Sequence, residues 1–154
     1  MGYAFLVAAP ERALLLECGV VDVQASTTAA ERLLAISKAL DELIRRHRPF
    51  VLAVERLYFN KNVQTAMRVS EARGVALLCG ARAGLEIAEY TPQEVKISVT
   101  GNGRGDKKAV QRMLPLLVAI DAPITQDNIA DAVAIALTHA QRSQFAAAVA
   151  AAVP

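Results

Sequence analysis

The chain has 154 residues, 54% of them apolar, and 17 basic against 15 acidic side chains leave a formal charge of +2 at pH 7. This length suits one globular domain with a real core, and the apolar share excludes a disordered chain. A near-neutral balance also excludes a nucleic-acid binder that works by net charge alone, so any basic surface must come from local clustering.

In chain order, residues 2–9 (GYAFLVAA) read as a short strand, residues 10–13 as a turn and residues 14–23 as a second strand, forming a β-hairpin. Thr28 and Glu31 have the spacing of a capping box, and Leu33, Ile36, Leu40, Leu43 and Ile44 then share one helical face. Arg45, Arg46 and Arg48 suit the negative end of that helix, and Pro49 stops it. Residues 50–54 (FVLAV) are a continuous apolar run, as expected of a strand covered on both faces, and Glu55 ends it. A helical pattern follows from residue 62 to about residue 84, with Val63, Met67, Ser70, Gly74 and Leu77 along one side. Its small residues Ala72, Gly74, Ala76 and Gly80 allow close approach of another element.

Residues 86–90 (EIAEY) read as another strand, and Pro92 falls in the first turn of a short helix ending near Gly101. A glycine loop (GNGRGD, 101–106) leads to a helix over residues 106–119, in which Pro115 must kink the helix or start a new segment. The last helix opens at Thr125 or Asp127, and residues 143–154 form an alanine-rich tail, read as a frayed helical end. The expected order is β-β-α-β-α-β-α-α-α: an α/β fold over residues 1–142, with antiparallel pairing added by the hairpin.

Cys18 and Cys79 lack metal-ligand spacing and are too few for a disulfide scaffold, so they read as free thiols. His47 and His139 have no partners at zinc-ligand spacing. No window reaches about 18 uninterrupted apolar residues, and the start lacks a basic signal-peptide region, so no membrane is expected and the cytoplasm is the expected compartment.

Two acidic features could carry chemistry. Glu55 sits at the carboxyl end of a strand, the edge where open α/β sheets bind ligands; otherwise it simply leaves the sheet into solvent. Asp127 and Asp131 are four apart and Asn128 and Asp131 three apart, so either pair shares a helical face. Taken alone, Asp127 suits a helix cap. Asp131 precedes an Ala-Val-Ala-Ile-Ala-Leu run, so its helix reads as largely buried and its carboxylate needs a partner, for which a metal ion is one solution. Mg²⁺ prefers oxygen ligands and keeps several waters, and two such ions about 3.5–4 Å apart can stabilise both the attacking and the leaving oxygen of phosphodiester cleavage.

Tyr58 and Phe59 either pack in the core or stack on bases, each stacked base being worth about 1–3 kcal/mol. Lys61 and Arg68 can hold nearby phosphates. Lys96, Arg104, Lys107, Lys108 and Arg112 form a second basic cluster, for which a solvated helix face is the ordinary explanation. Gly101, Gly103 and Gly105 suit close backbone approach to phosphate, although the loop is not a Walker A motif.

In combination, AVERLYFNKN, EARGVAL, TPQEVKISVTGNGRGDKKAVQRM and IADAVAIALTH resemble the RuvC Holliday-junction resolvases, over about residues 2–142. The resemblance implies a ribonuclease-H-like mixed sheet flanked by helices, and a homodimeric endonuclease that cleaves four-way junction DNA in recombination and repair. It implies Mg²⁺, two ions per active site, with Mn²⁺ as an alternative, and a branch-migration helicase complex as partner. It assigns metal ligation to Glu55 and Asp131, contact with unstacked bases to Tyr58, and positions near the scissile phosphate to Lys96 and Lys107. The helix after Asn62 matches the dimerisation helix. Phe59, Lys61, Arg68, Arg104 and Lys108 are the further candidates for DNA contact.

The sequence departs from that pattern twice. The family places a central strand before the hairpin, ending in Asp-Pro-Gly, whose Asp bridges the metal ions. This sequence starts at what corresponds to the second strand, so that strand and its Asp are expected to be missing. The strands flanking the gap must then expose ladder edges or pair directly. Secondly, Asn128 stands where the family has Asp or His; its side-chain oxygen can coordinate a metal without charge, and Asp127 can substitute only if the helix entry rotates. These departures give the alternative of a catalytically impaired junction-binding relative. A regulator of nucleotide binding within the wider ribonuclease-H-like group is a third reading.

Overall fold

The computed structural model describes residues 1–23, 28–56, 63–120 and 124–152. In chain order the elements are β1 Gly2–Val7, β2 Ala13–Val20, α1 Ala29–His47, β3 Val51–Glu55, α2 Val63–Arg82, β4 Glu86–Tyr90, α3 Pro92–Thr100, α4 Lys107–Leu117, β5 Val118–Ala119 and α5 Asp127–Ala152. The strands fall into two sheets, β1-β2-β5 and β3-β4. The chain gathers into two compact units, one of Val21–Glu89 with Met1 and one of Gly2–Val20 with everything from Tyr90 onward.

In the first unit, α1 starts where the capping box predicts. The Thr28 hydroxyl accepts from the Glu31 N–H at 3.2 Å, and the Glu31 carboxylate accepts from the Thr28 N–H at 2.8 Å. Arg48 closes the helix in the left-handed region, φ 46°, and its N–H donates to Ile44 O. Ile36 and Leu43 from the expected apolar face are buried, and α1 packs against α2. Arg32 of α1 reaches Glu71 of α2 at 2.6 Å.

The small residues of α2 act as expected at one position. A Cβ on Gly80 would stand 2.7 Å from Leu52 Cδ2 and 3.0 Å from Ile87 Cδ1, so the missing side chain lets β3 and β4 lie close against the helix. At Gly74 nothing lies within 4 Å, and Met67 and Leu78 on the same side are exposed. The apolar run before Glu55 is less buried than its composition suggests. Phe50 precedes β3 and is 90% exposed, and Val51–Val54 are half-buried, so the strand is not fully covered on both faces.

In the second unit, the predicted hairpin is present. β1 and β2 pair antiparallel from Gly2 opposite Val20, with an irregularity between Phe5 and Leu6 where Leu16 is the extra residue of β2. The predicted helix over residues 106–119 is corrected at its end. Val118 and Ala119 leave the helix and pair in parallel with Ala13 and Leu14 of β2 as β5. Pro115 explains the change: it lacks an N–H, and the helix continues only two residues beyond it. Arg12 receives the released end, its Nη2 donating to Pro115 O at 2.6 Å and to Val118 O at 2.7 Å. Val118 is fully buried, so extension into the sheet also places its side chain in the core.

The core of this unit is the seam of α5, which packs on β1, β2, α3 and α4. Ala130, Val133, Ala134, Leu137 and Thr138 are each at most 2% exposed. The hydroxyl of buried Thr138 donates to Ala134 O at 2.8 Å, the bond its burial requires. α3 begins at Pro92 behind a second capping box, Thr91 with Glu94, and ends at Gly101 with φ 71°. The start at Pro92 and the end at Gly101 match the sequence reading. Helix α5 continues through the alanine-rich tail to Ala152. Cys79 is buried, Cys18 half-buried, and both are free thiols.

Candidate functional site

Glu55 lies in the first unit, exposed, as the last residue of β3. Helix α2 holds this strand end. Arg73 Nε donates to the Glu55 backbone carbonyl at 3.0 Å, and Arg73 Nη2 donates to the Glu89 carboxylate on β4. Arg68 is exposed on the same helix. Tyr58, Phe59 and Lys61 lie outside the described residues.

The helix-borne acidic residues lie in the second unit. The sequence reading placed Asp131 on a buried helix surface; the structure corrects this, since the Asp131 side chain is 56% exposed. Successive helical residues are about 100° apart, which turns position 131 away from the seam formed by 130, 133, 134 and 137. Asp131 still has a partner: Lys107 Nζ, at the start of α4, stands 3.4 Å from its Oδ2. Asp127 is corrected too. It is the first helical residue rather than the cap, because the Gln126 carbonyl receives the first helical bonds, from Ile129 and Ala130. Its carboxylate turns instead toward α4, with Oδ2 3.1 Å from Lys107 Nζ and Oδ1 accepting from Gln111 Nε2 at 2.8 Å.

Two carboxylates, one helical turn apart, thus close on a single cationic nitrogen. The hydrogen bond that the Lys107 ammonium donates to Asp127 raises it above its usual range; burial opposes this, and the charge of Asp131 adds to the rise. The same oxygens make a hard two-carboxylate donor set that fits a divalent cation retaining several waters. Among the described residues no group of three or more His, Cys, Asp or Glu is placed to hold a metal ion. Asn128 is exposed at the same helix start. Its backbone carbonyl is fixed by close packing, since a Cβ on Gly2 would fall 1.9 Å from Asn128 O.

The other basic candidates lie on or near the same two helices. Lys96 is half-buried on α3, which packs against both α4 and α5; Arg104 and Lys108 are exposed in and after the glycine loop. That loop is held by its own bonds. Thr100 Oγ1 donates to Asn102 O, the Arg104 N–H donates to Asn102 Oδ1, and Asp106 caps α4 through the Ala109 N–H. Gly103 and Gly105 serve this packing. A Cβ on Gly103 would meet Gln93 and Ile97 at 3.1 Å, and one on Gly105 would meet Thr100 Oγ1 at 2.9 Å.

The two ring nitrogens of His139 bond Tyr90 Oη at 2.9 Å and Ser143 Oγ at 3.1 Å. Sequence reasoning missed Gln111 and Arg73. Gln111 was legible as the residue four after Lys107, on the same face of α4. Arg73 stands inside the quoted EARGVAL motif but has no spacing signal that ties it to Glu55.

Comparison with known proteins bears on this arrangement. Residues 1–139 match the family model described as "Crossover junction endodeoxyribonuclease RuvC". A relative of that name from Pelotomaculum thermopropionicum is 44% identical over 139 residues, covering 90% of this chain and 85% of its own length. Among solved structures, RuvC from Thermus thermophilus superposes with a TM-score of 0.85 at 30% identity, covering 94% of this chain and 89% of that one. The same protein in complex with Holliday junction substrate gives 0.84 at 29% identity, covering 95% and 96%. The ribonuclease-H-like α/β fold expected from the sequence is therefore the fold of its structural neighbours. No helix among the described residues is long and apolar enough to cross a membrane. The chain belongs to the RuvC family of crossover junction endodeoxyribonucleases.

Proposed function

We propose that this protein cleaves four-way DNA junctions by hydrolysing phosphodiester bonds with the help of Mg²⁺, two ions per site, or Mn²⁺. The observation that carries this is the convergence of Asp127 and Asp131 on one cationic position, in a chain that belongs to a family of junction endodeoxyribonucleases. Glu55 and Asp131 would hold the metal, with Asp127 as the further carboxylate and Asn128 as a neutral oxygen donor. What supports Asp127 over Asn128 as the charged ligand is that its carboxylate already meets that of Asp131 on Lys107. When bound, the metal supplies Lewis-acid stabilisation of the phosphodiester under attack.

The protein's own groups then do the rest. Lys107 and Lys96 offset charge that builds on the scissile phosphate. Arg68, Arg104, Lys61 and Lys108 hold flanking phosphates without reading sequence. Tyr58 and Phe59 stack on bases unpaired at the crossover. The protein acts as a homodimer through α2, whose Met67, Gly74 and Leu78 form an exposed stripe of apolar and small residues, and it works in the cytoplasm beside a branch-migration helicase complex. The endodeoxyribonuclease name carried by the relatives favours cleavage over junction binding alone.

A labelled synthetic four-way junction tests the proposal. Cleavage with Mg²⁺ or Mn²⁺ is expected, much faster than on linear duplex of the same sequence. Glu55→Gln and Asp131→Asn are each expected to lower cleavage by about 100-fold or more, since each removes several kcal/mol of metal-derived stabilisation, while junction binding in EDTA persists. Equal cleavage of junction and duplex, or an active Glu55→Gln protein, would overturn it.

A further inference from the structure

We propose that Arg73 is a positioning residue for the metal site, setting the place of Glu55 through that residue's backbone. This rests on the assignment of Glu55 as a metal ligand. Glu55 is the last residue of a five-residue strand in a two-stranded sheet, so its carbonyl lies where regular ladder bonding ends. Arg73 reaches it from α2, with Nε donating to Glu55 O at 3.0 Å. The neighbouring Nη2 donates to the Glu89 carboxylate on β4. One edge of a planar guanidinium thus ties three elements together: the helix, the strand carrying the candidate ligand and the strand beside it.

The arrangement has the marks of a built support. The Arg73 side chain is only 23% exposed, so the guanidinium is half-buried, while its partner Glu89, 37% exposed, meets it at the surface. Glu89 fixes the plane of the guanidinium, and the fixed plane aims Nε at the carbonyl. A lysine carries the same charge but has one nitrogen on a flexible stem and cannot reproduce the fork. Groups that orient a metal ligand in this way commonly contribute 10–100-fold to metal affinity or activity.

Mn²⁺ binding by the full chain, measured by titration calorimetry or from the electron paramagnetic resonance of free Mn²⁺, reads this role without a cleavage assay. Arg73→Gln and Arg73→Lys are expected to weaken Mn²⁺ binding about 10–100-fold while junction affinity in EDTA holds, for the lysine variant above all. Glu89→Gln is expected to give a smaller loss in the same direction. Arg32→Gln, which breaks an ion pair between α1 and α2, is expected to lower stability but leave Mn²⁺ affinity intact. Parental Mn²⁺ affinity in the Arg73 variants overturns the proposal. So does an equal loss in Arg32→Gln, which would make the effect one of general loosening. If Arg73→Gln does not fold, Arg73→Lys and Glu89→Gln carry the test. Glu55→Gln separates the two ideas: unchanged Mn²⁺ binding there removes the ligand assignment itself, whereas its loss beside intact Arg73 variants removes only the support role.

Discussion

Replacing Lys107 by Met tests whether the acidic pair of α5 is a cation site. The ammonium stands 3.1 Å from Asp127 and 3.4 Å from Asp131, and the three side chains are 49%, 63% and 56% exposed. Pairs so open to water contribute about 0.2–1 kcal/mol each. Removing the lysine also leaves two carboxylates four residues apart with no shared counter-charge, which costs a few tenths of a kcal/mol more. The loss in EDTA is therefore about 1 kcal/mol, or about 2–4 °C in midpoint for a chain of this size. The local charge falls from −1 to −2, so a divalent cation should bind the variant more tightly and restore stability. At ten times its dissociation constant, binding contributes about 1.4 kcal/mol, enough to close the gap. Urea unfolding of both proteins, in EDTA and in Mg²⁺, measures this. A difference of the same size in both buffers would refute the shared-cation reasoning. Cleavage by the variant should still fall, because the lysine is also assigned to the scissile phosphate.

Other expectations follow from the elements that hold the site. Thr91→Ala removes the capping box of α3 and should cost about 1 kcal/mol at neutral pH. Bonds from the Thr91 N–H and hydroxyl, with Arg142 a lesser contributor, hold the Glu94 carboxyl below its ordinary value of 4.5. Its stabilising contribution is therefore complete above that value and disappears as the pH falls through the depressed folded one. The gap between parent and Thr91→Ala in a pH series of unfolding midpoints should shrink on acidification; a widening gap would contradict the assignment. Gly2→Ala pushes a methyl group to within 1.9 Å of Asn128 O, so backbone must move. A loss of about 1–3 kcal/mol in denaturant unfolding is expected, together with weaker Mg²⁺ dependence of stability, because the displaced segment is the start of α5.

Local rules explain why much of this was readable. The capping box at Thr28, the hairpin and the apolar face of α1 depend on neighbours within a few residues, and each formed as the pattern predicts. The exposure of Asp131 is not legible in composition, which does not give orientation: the alanine and valine residues after it line a seam about 100° away. Strand β5 escaped notice because two residues have no period, and only Arg12 and β2, about a hundred positions away in sequence, give them a place. The acidic spacing was legible, but not its partner, since the Lys107 bridge joins different helices. Arg73 shows the same limit from the other side, a side chain whose role comes from a backbone carbonyl eighteen residues earlier.

The claim on which the mechanism depends is that Glu55 and Asp131 belong to one metal coordination shell. Crystals soaked in Mn²⁺ and measured at its absorption edge answer it directly, because anomalous scattering places the ion without reference to the protein. An ion with carboxylate oxygens of both residues at about 2.0–2.2 Å is the expected result. An ion held by Asp127 and Asp131 with Glu55 outside its shell would contradict it.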